Sequence, residues 1–190
     1  MTDRPGTRVL ITTFDTWLPH QKSNASDDLV LALESAAALP SDCQVLHSLP
    51  VDVEQAFAQI QSVAQETPPD YIFCCGMAET RSRLNFELQA VCGDQVRRSS
   101  IPTAYWNSLR TRWRCAELSE DAGRFVCNGL YFRLLDERAQ LGNPRVLFIH
   151  VPLVTETNRF DLMADFQLLV QRLLAWPSRL EDEPKPLNLG

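Results

Sequence analysis

Apolar residues follow two rhythms along the chain. Three continuous runs, RVLITT at 8–13, YIFCC at 71–75 and RVLFIHV at 145–151, show no polar alternation and predict strands buried on both faces. A shorter strand is expected at 43–46. Elsewhere the spacing is helical. Val53, Ala56, Phe57, Ile60 and Val63 predict a helix over 53–66, ended by Pro68-Pro69. Ser26 or Asn24 is placed to cap a helix through Ala37, with Asp27 and Asp28 in its first turn, where the helix dipole favours negative charge. Tyr131, Leu134 and Leu135 put the segment after Cys127 on a helix, and Leu162, Phe166, Leu169, Val170 and Leu173 predict a last amphipathic helix over 160–176. Leu84, Phe86, Leu88 and Ala90 alternate with Asn85, Glu87 and Gln89, which predicts a half-buried strand with Glu87 on its polar face. Residues 92–101 read as a loop, and 104–118 as a short helix followed by a strand near Cys115.

Strands that alternate with helices predict an α/β fold: one domain over 7–176, three-layer α/β/α, with a mostly parallel central sheet. The polar, proline-rich segment 177–190 is expected to be a disordered tail. Sites in such sheets lie beyond the carboxyl ends of the strands. Phe14, Gly76-Met77 and His150 all fall at such ends.

Charge and composition narrow the classes. The 190 residues carry a net charge of -6, which argues against a nucleic-acid partner. The cluster Arg110, Arg112, Arg114 reads as a solvated face. No apolar run approaches membrane-spanning length, and the opening MTDRPGTR has no signal-peptide pattern. Six cysteines without CxxC or Cys/His metal spacing point to reduced thiols in a cytoplasmic protein, with neither metal nor cofactor expected.

Cys127 and His150 carry the chemistry. The cysteine opens a helix in AGRFVCN, and the histidine ends the strand VLFIH. A cysteine in such a place is commonly packing. Paired with an imidazole it becomes a candidate nucleophile, because the thiolate is the reactive species and a free thiol has a pKa of about 8.5. Helix dipole and imidazole are both expected to raise the thiolate fraction.

AGRFVCN followed by FIHVP resembles the pyroglutamyl-peptidase I family of cysteine peptidases. Three further blocks agree in order: VLITTFDTW with the family's opening strand and GFxPF turn, PDYIFCCGMAETR with its GxAxGR segment, and LNFELQAV with its glutamate-bearing strand. PTAYWNSL resembles a block with no obvious chemistry. The resemblance implies a triad of Cys127, His150 and Glu87 that removes an N-terminal pyroglutamyl residue from a blocked peptide through a thioester acyl-enzyme. Cys127 attacks, His150 shuttles the proton and Glu87 holds the imidazole. It also implies a lactam pocket walled by Phe14, Trp17 and Phe125, with Asn24, backbone groups around Met77, and a group near Arg81 as further substrate contacts. Homo-oligomerisation is left open.

The chain departs from the family pattern around the pocket. Thr13 replaces the glycine before Phe14, Thr16-Trp17-Leu18-Pro19 replaces Pro-Phe-Gly-Gly, and Glu79-Thr80 replaces two glycines. The carboxylate of Glu79 is expected near the thiol, raising its pKa. Cys92 stands where an Asn is usual. The loop between Glu87 and Tyr105 is short, with Arg97 and Arg98 left as candidates for the arginine it normally carries. The alternatives are therefore a triad hydrolase for another small acyl amide, or a non-catalytic small-ligand-binding homologue.

Overall fold

Residues 7–175 other than 102 and 110 are described by the structure, a computed structural model. The elements run β1 (Val9–Phe14), α1 (Ala25–Ser35), β2 (Cys43–Leu49), α2 (Val53–Glu66), β3 (Tyr71–Met77), β4 (Leu84–Glu87), β5 (Gln89–Cys92), β6 (Gln95–Arg98), α3 (Thr103–Leu109), β7 (Ala116–Ser119), α4 (Val126–Asp136), a 3₁₀ turn (Arg138–Leu141), β8 (Arg145–Val151) and α5 (Arg159–Leu174). Six strands form one sheet in the order β2-β1-β3-β8-β4-β7. All neighbouring pairs are parallel except β4 and β8.

The expected three layers form because each central strand is apolar on both faces. Val9, Ile11, Phe73, Cys75, Leu147 and Ile149 face α1, α3 and α5. Leu10, Ile72, Cys74, Val146 and Phe148 face α2 and α4. Caps delimit the helices. The Asn24 side chain accepts from Ser26 N, and that of Asp52 accepts from Gln55 N. The helix over 53–66 forms as its spacing predicts. Trp176, the tail from 177, Pro102 and Arg110 lie outside the described residues. Of the other two arginines in the 110–114 cluster, Arg112 is exposed and Arg114 meets Asp161 at 3.3 Å on the surface.

The segment after Leu84 differs from expectation. The strand stops at Glu87, and all four of its residues are buried. Glu87 and Asn85 do share a face, but α4 rather than water covers it. A second strand begins at Gln89 and turns back within the segment read as a loop, pairing Val91 with Val96 and Cys92 with Gln95. Gly93, at φ +58°, makes the two-residue turn possible. The hairpin is fastened to α4 by Asn128, which accepts from Val91 N at 2.9 Å and donates to Val91 O at 2.7 Å. Arg97 adds a contact to Asp136 at 2.7 Å.

Strand β2 runs past its apolar residues because His47 finds partners. Its Nδ1 lies 2.6 Å from Asp27 Oδ1, and its Nε2 lies 3.0 Å from Glu34 Oε2. Burial alone would depress the imidazole, but hydrogen bonds and charge from Asp27 and Glu34 outweigh it and hold the ring above its usual value. A group raised on folding stabilises fully below its unfolded value and ceases to do so as pH rises through its folded value. Wild type should therefore exceed His47→Gln in melting temperature most below the ordinary imidazole value, at about pH 6, with the gap closing as pH rises above it. The ring is a third exposed, so the effect is held to about 1 kcal/mol or less. Thermal unfolding of both proteins across that range checks the direction.

Candidate active site

The site grows from the seam between β8 and β4. Antiparallel pairing sets Asn85 opposite His150 and Glu87 opposite Phe148, so all four side chains point to the α4 face. Glu87 Oε1 then reaches His150 Nδ1 at 2.7 Å. Its carboxylate has no solvent exposure, and His150 is 5% exposed. Arg81, on the turn between β3 and β4, donates to the same Oε1 at 2.8 Å and to the Asp121 carbonyl at 2.6 Å. The Tyr131 hydroxyl donates to the backbone carbonyl of Glu87 at 2.8 Å.

Cys127 arrives from α4, in the first helical turn after the extended residue Phe125. First-turn N–H groups have no partner within a helix, so this end presents donors to whatever lies before it. The thiol rests on Gly76, which pairs with His150 in the sheet. A Cβ on Gly76 would stand 2.9 Å from Cys127 Sγ and 2.9 Å from Phe148 Cζ, so only glycine lets sulfur approach the strand. A glycine closing a run of large apolar residues is the sequence signal for this contact.

Cys127 and His150 share the wall of a cavity of about 210 Å³ with Phe14, Trp17, Asn24, Met77 and Phe125. Val51, Ala122, Gly123, Arg124 and Val126 complete it. Seven of the nine expected residues thus converge on one space. Glu87 stands behind His150, and Arg81 is not part of this lining; it braces Glu87 from the far side. Trp17 and Phe125 are about half exposed, with ring centroids 4.7 Å apart at the mouth. Arg97 and Arg98 do not reach the cavity; they turn to Asp136 and Glu120. Cys92 is exposed on the hairpin.

Glu79 does not behave as expected. It bonds Gln21 Nε2 at 2.8 Å and lies 3.5 Å from His20 Nε2, on the outer side of the loop. Gln21 Oε1 in turn accepts from the backbone N–H groups of Trp17 and Leu18 at 3.0 and 3.1 Å. The residue that replaced a glycine thus latches the loop carrying Trp17. The carboxylate that acts on the thiol is Glu87 instead.

The expectation of a high thiolate fraction is also corrected. Burial pushes the Cys127 thiol up to about 12; Glu87 adds to this, while the thiol's own backbone N–H and Arg81 pull the other way. The resting site therefore holds a neutral thiol beside an oriented imidazole, with no hydrogen bond between them among the described residues. Catalytic contacts are often loose before substrate binds. Among the described residues no group of three or more His, Cys, Asp or Glu could hold a metal ion, and no helix is long and apolar enough to cross a membrane. A neutral thiol makes a reactivity prediction. With iodoacetamide at pH 7, exposed Cys92 should be alkylated before Cys127, and the Cys127 rate should climb with pH through about pH 10. Peptide mass spectrometry that found Cys127 modified first would contradict a neutral resting thiol.

Comparison with known proteins joins these features to one family. The family model described as pyroglutamyl peptidase matches residues 99–165, which hold Cys127 and His150. The pyrrolidone-carboxylate peptidase of Bacillus amyloliquefaciens is 27% identical over 175 residues, covering 78% of this chain and 80% of that one. That of Gloeobacter violaceus is 26% identical over 173 residues, covering 78% and 83%. In fold, the chain is similar to the crystal structure of Bacillus amyloliquefaciens pyroglutamyl peptidase I, with a TM-score of 0.72, 21% identity and coverage of 90% and 98%. The pyrrolidone carboxyl peptidase from Thermococcus litoralis gives a TM-score of 0.72 at 21% identity, covering 89% and 94%. Relatives matched across most of their own length, and an architecture shared from end to end, make this chain similar in sequence and in fold to the pyroglutamyl peptidases.

Proposed function

We propose that the protein is a cysteine peptidase that removes an N-terminal pyroglutamyl residue from peptides. The observation that carries this is the bond from His150 Nδ1 to the buried Glu87, in the wall of the cavity that also holds Cys127. Bonding at Nδ1 fixes the ring and leaves Nε2 to accept a proton. The pyroglutamyl ring is small, neutral and flat, with one N–H and one C=O. Phe14, Trp17 and Phe125 offer it apolar walls, and backbone groups around Met77 offer partners.

In the proposed reaction the Cys127 proton passes to His150 Nε2 as sulfur attacks the acyl carbon. The negative charge on the substrate oxygen meets first-turn N–H groups of α4, including that of Cys127. His150 returns the proton to the leaving amine as the C–N bond breaks, which leaves a thioester. Water, deprotonated by His150, then attacks the thioester carbon and frees pyroglutamate and the thiol. Because the thiol starts neutral, imidazolium forms only during attack. Glu87 stabilises it at that moment, so its effect falls on the transition state rather than on binding. The six cysteines are all unbonded, which fits a reducing compartment such as the cytoplasm.

A second reading has one observation in its favour. The contact of Trp17 with Phe125 and the Glu79–Gln21 latch stiffen a wall that the family pattern builds with glycines. That fits an acyl group other than pyroglutamyl, cleaved by the same triad.

A fluorogenic pyroglutamyl amide separates the readings. Wild type should cleave it. Cys127→Ala should lose activity by about 10³-fold or more, and Glu87→Gln should lower kcat by about 10²-fold or more with KM little changed. A wild type inactive on it but active on another small N-acyl amide supports the second reading. No turnover of any such amide leaves a binding protein. Glu79→Gly should free the Trp17 loop and raise KM several-fold with a smaller effect on kcat. An unchanged KM would mean that the latch does not shape the pocket.

A further inference from the structure

Glu87 is an anion without solvent exposure, and what faces it decides the charge on His150. From α4 come Cys127 and Tyr131, and Cys74 lies on the same sheet face from β3. Burial pushes the thiols of Cys127 and Cys74 to about 12 and the Tyr131 phenol above its usual range, so all three are neutral at pH 7. From β4 comes Asn85, whose amide is taken by Glu117 Oε1 of β7 at 2.7 Å. Among the described residues bonded to the carboxylate, Arg81 supplies the positive charge. It does so at 2.8 Å, on the same Oε1 that holds His150, while Oε2 has no partner.

We propose that Arg81 is a positioning residue, a two-ended strut that neutralises Glu87 so that His150 rests as an uncharged base, and that ties the Asp121 carbonyl to the same point. The first end follows from charge. A buried carboxylate facing only a neutral ring is relieved most readily by a proton, on the ring or on itself. Either proton disables the site: a charged imidazole cannot take the Cys127 proton, and a neutral carboxyl cannot stabilise the imidazolium formed later. With Arg81 in place, Glu87 orients the ring without charging it. The second end follows from geometry. The Asp121 carbonyl begins the loop whose Ala122, Gly123 and Phe125 line the cavity, so one guanidinium sets both the base and the wall facing it. A planar fork reaches two acceptors at once, whereas an ammonium serves as a point charge.

The chemistry of the site rests on the reading above, but the test does not depend on turnover. The chain has three histidines, so imidazole nitrogen resonances can be followed by NMR and that of His150 assigned by its loss in His150→Gln. In Arg81→Met the His150 signal should titrate at a pH higher by about one unit or more than in wild type. Arg81→Lys should restore that midpoint while leaving the loop untied. With a cleavable substrate, the acid limb of kcat/KM should move the same way in Arg81→Met, with kcat down about tenfold or more. Arg81→Lys should show a wild-type limb and a raised KM. If Arg81→Met does not fold, Arg81→Gln, which is neutral but still able to donate, carries the same expectation. A folded neutral variant whose His150 titrates as in wild type overturns the proposal, and so does Arg81→Lys titrating like the neutral variants. If wild type cleaves no pyroglutamyl amide, that reading falls while the NMR result still decides the strut.

Discussion

A carboxylate shut inside a sheet is the constraint from which the site is built. Glu87 lies at the one antiparallel seam of the sheet, and that seam is what makes it useful. Were β4 parallel to β8 like the other neighbours, its carboxyl end would lie beside the carboxyl end of β8. Antiparallel pairing instead sets Glu87 one pleat back from His150 on the same face, at the diagonal distance a carboxylate can span. The cost of burying the charge is offset by the guanidinium and the imidazole, both bonded to the same oxygen. Strand order, the turn bearing Arg81 and the face covered by α4 are thereby coupled to one hydrogen-bonded group.

The same face explains how the sulfur comes close. Side chains directly above the sheet are large, with Phe148 packed between Phe14, Tyr131 and His150 at centroid distances of 6.4, 5.9 and 4.9 Å. A helix docking over such a surface would ordinarily be held away from the strands. Gly76 opens a notch at the position paired with His150, and the first turn of α4 drops its cysteine into it. Close packing then buries the thiol, and burial, stronger than the helix N-terminus, keeps it protonated. Reactivity and packing pull in opposite directions here, so the proposed nucleophile is one made by proton transfer rather than stored as an anion.

Elements with strong periodicity and clear punctuation were legible in the sequence. Helix α2 has an Asp cap, five apolar positions on one stripe and two prolines after it, and its bounds followed. The buried strands were equally plain. Glu87 was half-legible: alternation placed it correctly opposite Phe86, but alternation cannot tell a wet face from one covered by a helix distant in sequence. The break at Leu88 and the β5–β6 hairpin were missed for a different reason. Val91, Gly93-Asp94 and Val96 carry a recognisable turn pattern, yet the strands expose their apolar residues and are held mainly by Asn128 and Arg97. Local pattern there is weak, and long-range bonds decide the structure. Seven of the nine residues expected at the site meet in one cavity because they sit at strand ends and a helix mouth, which topology brings together. Arg81 could be named from its motif, but its direction depends on a carboxylate six residues away at the end of β4.

The departures from the family pattern form a connected set. Thr13, in place of a glycine, is bonded to Asp27 and accepts from Ser48 N at 3.1 Å. Glu79, in place of another, holds Gln21, which holds the Trp17 backbone. Trp17 in turn packs on Phe125, two residues before the thiol. A glycine-rich wall can adapt its backbone to a ligand. This wall is cross-linked by side chains at each altered point, so its shape is set before anything binds. Pre-organisation of this kind favours the acyl group that fits and penalises those that need the wall to move. On the proposed function, selectivity is therefore a matter of how stiffly Trp17 is held, while the capacity for acyl transfer lies in the buried carboxylate and its two partners, Arg81, which is permanently charged, and His150, which gains its charge only as the thiol reacts.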